Sequence, residues 1–78
     1  MKSMTCKQLG GACDQVFQAE TFEQMAELSK QHGMEMYQKN DAAHLQAMAK
    51  MQEMMQKPSE MEAWFMEKQK EFEQLPED

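Results

Sequence analysis

Seventy-eight residues, 8 of them basic and 14 acidic, give a net charge of −6 and a mass of 9.1 kDa. Every basic residue is Lys, so the chain lacks the basic clusters and guanidinium forks by which proteins grip nucleic acid and phosphate. Met occurs 11 times, Val once and Ile never, a composition that cannot build a mainly β protein. The length allows a single small domain, residues 1–78, with a folded surface near ~4,900 Å² and a thin stability margin that a metal, a disulfide or a second chain would widen.

The N-terminus, MKSMTCKQLGG, holds no apolar run suited to a signal peptide. No stretch approaches the ~18 apolar residues of a membrane span. The expectation is a soluble cytoplasmic protein without membrane or nucleic-acid partners. In a reducing compartment two Cys serve as metal ligands, buried thiols or redox groups more readily than as a permanent disulfide, although the even count leaves a disulfide open.

Residues 2–18 carry the strand-like signal. Lys2–Lys7 and Cys13–Gln18 flank Gly10-Gly11, a pair that favours a hairpin turn. With the turn centred near Leu9-Gly10, Cys6 falls opposite Cys13, and Met4 and Phe17 share their face by alternation. Thr21 and Gln24 then form a T-x-x-Q capping box that opens a first helix, with Glu20 and Glu23 at its positive end. Met25, Leu28, His32 and Met36 recur on one side of it, with Phe22 and Ser29 at the margin. Gly33 costs ~1 kcal/mol relative to Ala, so the helix either runs to about Gln38 or bends at Gly33.

Asn40-Asp41 caps a second helix, Ala42–Gln56, with Leu45, Met48, Met51 or Gln52, and Met55 as its apolar stripe. Lys57-Pro58-Ser59 breaks it. Ser59 and Glu62 make an S-x-x-E box for a third helix from Glu60 to about Gln74. Met61, Trp64, Phe65, Phe72 and Leu75 mark its buried side. The predicted fold is α+β: an N-terminal β-hairpin packed on three α-helices, the last two an antiparallel pair.

The chemistry-bearing residues are Cys6-x6-Cys13-x18-His32-x11-His44. Thiolate and imidazole suit a tetrahedral zinc site, and a helix packed over the hairpin would bring His32 to the two sulfurs. The spacing is looser than that of zinc fingers. The plain alternatives are two small buried thiols, a satisfied core His32, and a solvated His44 beside the core position Leu45.

The pattern Cys6-Lys7-x-Leu9-Gly10-x-x-Cys13-Asp14, then Val16, Glu20-Thr21 and His32, resembles a family of small, mostly bacterial proteins of unknown function, catalogued as predicted small metal-binding proteins. The resemblance covers residues 4–37. It implies a hairpin leading into a helix that ends in H-x4-H, with Cys6, Cys13 and His32 as ligands. The second His of that motif falls on Tyr37, a departure that leaves the fourth place to Tyr37, His44, water or a Met sulfur, or leaves the site without metal.

The Met residues read first as a malleable helical core, then as an adaptable surface for a partner helix or second subunit, and last as thioether ligands for Cu(I). Met54 lies off the apolar stripe, and adjacent Trp64 and Phe65 must point to different sides. No catalytic motif is present, and the Glu run of the third helix reads as a solvated face. The leading reading is a small metal-binding protein, with zinc ahead of Cu(I), acting in a structural or ion-handling role. The competing reading is a metal-free interaction module that docks a partner or forms a homodimer through its Met-rich helices. A third is a thiol redox protein using Cys6 and Cys13.

Overall fold

The protein is described by a computed structural model covering residues 1–77. Strand β1 (Lys2–Thr5) pairs antiparallel with β2 (Val16–Ala19), and Met4 stands directly opposite Phe17. Period-2 alternation puts Met4, Phe17 and Ala19 on the buried face.

The hairpin differs from the expected one in its loop. Cys6 takes helical angles (φ −53, ψ −44) and opens a 3-10 turn, Lys7–Leu9, so strand alternation ends at Thr5. Thr5 and Gln8 close that turn reciprocally. The Gln8 N–H donates to Thr5 Oγ1 at 3.2 Å, and the Thr5 N–H donates to Gln8 Oε1 at 2.7 Å. Gly10, at φ +92, ends the turn in the left-handed region that favours glycine. The Cys6 N–H donates to the Gln15 carbonyl at 2.8 Å, so Cys6 lies opposite Gln15, not Cys13. The turn uses residues that a two-residue hairpin loop would have left in the ladder.

Helix α1 (Phe22–Gln38) starts at Thr21, whose hydroxyl accepts from the Gln24 N–H at 3.1 Å, and it continues through Gly33. Asn40, at φ 56, turns the chain into α2 (Ala42–Met55), which Asp41 caps. Helix α3 (Pro58–Gln74) begins two residues earlier than expected. Pro58 sits in its first turn, where a fixed φ and a missing N–H cost nothing, so Ser59 lies inside the helix and does not cap it. Only Gln56-Lys57 separates α2 from α3, and the two helices pack against each other.

The core lies between the hairpin and α1. Met4, Cys6, Leu9, Phe17, Ala19 and Met25 form it, and Phe72 of α3 closes one end. Lys2 secures that end: its ammonium lies 5.0 Å from the Phe72 ring centroid and donates to the carbonyls of Phe72 and Glu73 at 3.1 and 3.0 Å. Helix α2 adds no apolar side chain to this core, and its one buried residue is His44. The expected stripe is only half covered at Leu45, Met48 and Met51, and Met55 is exposed. On α3, Met61 and Trp64 are half-buried and Phe65 is exposed. The reason is thickness. The molecule is a slab of 33 × 29 × 15 Å, and no further layer covers the outer side of the helices. No helix among the described residues is long and apolar enough to cross a membrane.

Candidate metal centre

Four separate segments deliver one donor each. Cys6 follows β1 and opens the 3-10 turn, Cys13 lies in the loop before β2, His32 is on α1 and His44 is in the first turn of α2. Their ligand atoms all lie within 4.8 Å of one another. Cys13 Sγ and His32 Nε2 are 3.2 Å apart, and Cys6 Sγ and His44 Nε2 are 3.6 Å apart. The imidazoles meet edge to face with centroids 5.3 Å apart, and Phe17 steadies His32 from below at 5.5 Å.

The loop is built around the Cys6 sulfur. The Gly11 N–H donates to the Cys6 carbonyl at 2.8 Å, folding the backbone tightly over the thiol. A Cβ on Gly11 would overlap Cys6 Sγ, so only glycine fits there. Burial pushes the Cys6 thiol pKa up, and backbone N–H groups of Cys13 and Ala12 oppose that by hydrogen bonding to the sulfur. The Cys13 thiol is held below its ordinary value, chiefly by the Gln15 backbone and then by His44 and Cys6. Backbone donors thus favour thiolate at Cys13, whereas at Cys6 burial outweighs them, and both cysteines are free.

Asp41 does two jobs with one oxygen. Its Oδ2 accepts the His44 backbone N–H at 3.0 Å, capping α2, and lies 2.5 Å from His44 Nδ1. The carboxylate holds Nδ1 protonated and turns Nε2, with its lone pair, toward the sulfurs. It raises the His44 pKa, and His44 in turn keeps Asp41 below the usual carboxylate range.

Of the residues expected at the site, Cys6, Cys13, His32 and His44 come together. The solvated reading of His44 is overturned, since it is only 5 % exposed, while neighbouring Leu45 is half-buried. The Asp41 cap fixes the His44 ring, and the way α2 packs against α1 turns position 44 inward. Tyr37 is 64 % exposed and lines a surface groove with Met48. Sequence reasoning missed Asp41 as an orienting group and Gly11 as the cradle, although the N-cap signal at Asp41 was legible.

Two thiolates and two imidazoles at these separations suit a tetrahedral divalent ion such as zinc. A 150 Å³ cleft walled by Gly10, Gly11, Gly33 and Met48 lies beside Cys6 and His44. Scans of protein-family models, of curated proteins and of solved structures return no match to this chain.

Proposed function

We propose that this chain is a small zinc-binding protein in which Cys6, Cys13, His32 and His44 hold one ion in a structural or ion-handling role. The observation that carries the reading is the convergence of two thiols and two imidazoles from four segments to within 4.8 Å. The Asp41–His44 contact supports it, because a carboxylate behind an imidazole is the usual second layer of a zinc site. The resemblance of residues 4–37 to a family catalogued as predicted small metal-binding proteins points the same way. Two thiolates also balance the charge of a divalent cation.

Bound there, the ion would supply a cross-link. It would tie the hairpin loop to α1 and α2, where α2 lacks an apolar anchor in the core. Four protein donors complete a tetrahedron, which favours a non-catalytic role. Cu(I) is second, since its sulfur preference leaves the two imidazoles less well used.

The test is elemental analysis and native mass spectrometry of protein purified without chelator. One zinc per chain is expected, lost in Cys6→Ser and His44→Ala, with a melting temperature that falls on adding EDTA. Less than about a tenth of an equivalent of metal, with melting indifferent to EDTA, would overturn the reading.

A further inference from the structure

We propose that two copies of this chain associate through the outer face of α1, α2 and α3. The proposal does not rest on the zinc reading, because none of the four donors belongs to this face.

Its first support is area. The folded chain exposes 5637 Å², roughly 700 Å² more than the ~4,900 Å² expected of a monomer of its mass. A standard protein–protein interface covers ~800 Å² of each partner. The excess therefore matches one half of an ordinary dimer contact.

Its second support is the character of this face. Met34, Tyr37, Met48, Met51, Met55 and Phe65 line a run of shallow grooves that share walls from one helix to the next. Met34, Tyr37 and Met55 are 56 %, 64 % and 59 % exposed. Side chains of this kind seal interfaces, and Met adapts its shape to what it meets.

The third concerns the partner. A chain of charge −6 meeting its own copy must keep its acidic groups out of the contact. The two grooves between α1 and α2 are lined by no acidic side chain among the described residues, and Lys30 is their one charged group; the third groove, which reaches α3, is lined by Glu23 and Glu27 beside Lys30, so the contact centres on the α1–α2 grooves.

The test is sedimentation equilibrium of the full chain from roughly 5 to 500 µM, the range in which a modest interface associates. A mass moving from 9.1 kDa to twice that value is expected. A mass that stays at one chain overturns the proposal and assigns the face to a different protein, and assembly beyond two copies overturns it equally. Tyr37→Glu with Met55→Glu should weaken association at least about tenfold. Both positions are exposed, so the circular dichroism of the dilute protein and its zinc content should not change. Met55→Gln, which adds no charge, should weaken it less. A dimer indifferent to all of these would lie on another face and overturn the assignment.

Discussion

Residues 2–38 and residues 42–74 treat their apolar side chains in opposite ways. The hairpin and α1 place Met4, Leu9, Phe17, Ala19 and Met25 in one core. Helices α2 and α3, with most of the Met, add only Phe72 to it. Met is therefore fully buried at Met4 and Met25 in the first half, with Met34 exposed on the outer side of α1, and at no position in the second. Met25 is 0 % exposed and Met55 is 59 % exposed. What differs is whether a second layer lies opposite. The first half is a sheet-on-helix sandwich, and the second is a helical pair open on one side.

The sharpest way to break this contrast is to truncate one Met in each half. Met25→Ala should cost about 2–5 kcal/mol, a large part of the roughly 4–12 kcal/mol available to a chain this size. Met55→Ala should stay within about 0.5 kcal/mol. Urea denaturation of dilute protein measures both, and equal losses would mean that the two halves are packed alike.

The glycines sharpen the comparison with opposite signs. Gly11→Ala drives a methyl into the Cys6 sulfur and should cost about 1–3 kcal/mol together with zinc affinity. Gly33→Ala meets only Met48 Cε, at an ordinary 3.6 Å, and removes the flexibility of a mid-helix glycine, so it should add about 0.5–1 kcal/mol. Thermal melts with and without zinc distinguish them, and a destabilising Gly33→Ala would show that α1 needs to bend there.

A smaller effect links the halves through Asp41 and His44. In the metal-free protein the raised His44 pKa contributes stability in full below ~6.5, lost as pH rises through the raised value. The lowered Asp41 pKa contributes above the ordinary carboxylate range, lost as pH falls through the lowered value. The pair supports the fold best between those ranges, and Asp41→Asn should flatten both limbs of a melting-temperature profile against pH. Zinc runs the other way, since it displaces protons from thiol and imidazole and binds more tightly as pH rises. The same variant should weaken zinc about 10–100-fold. Profiles that overlay those of the parent would remove Asp41 from the centre.

Much of the fold was legible because its signals are local. Thr21 and Asp41 act within one turn, and both caps stand where the residues indicate. That Met4 and Phe17 share a face follows from alternation, but their register does not, since a ladder with Cys6 opposite Cys13 would have set Met4 against Gln15. The hairpin loop departs from the expected turn although Thr5-x-x-Gln8 repeats the pattern seen at Thr21-x-x-Gln24, and the box at 5–8 is the fuller of the two. Gly10-Gly11 is itself a strong hairpin-turn signal and competes with the 3-10 turn before it. Pro58 reads as a break, yet its ring suits a first turn equally well. The burial of His44 and the exposure of Phe65 were not legible, because both depend on how α2 and α3 sit against the hairpin, and no local pattern encodes that.

The corner between α2 and α3 has a consequence for how the chain comes apart. Residues 55–60 are exposed without interruption, while the far end of α3 is gripped by Lys2 and by burial of Phe72. Local opening should begin at that corner and die away toward Phe72, so amide exchange and protease cleavage should both be fastest there. A single cut would leave all four donors on the longer fragment and Phe72 on the shorter one. The two pieces would then be held together without a covalent link, by Phe72 and Leu75 on the core, the Phe22–Phe65 and Phe22–Phe72 ring contacts, the Lys2 ammonium and the Met1–Glu77 ion pair.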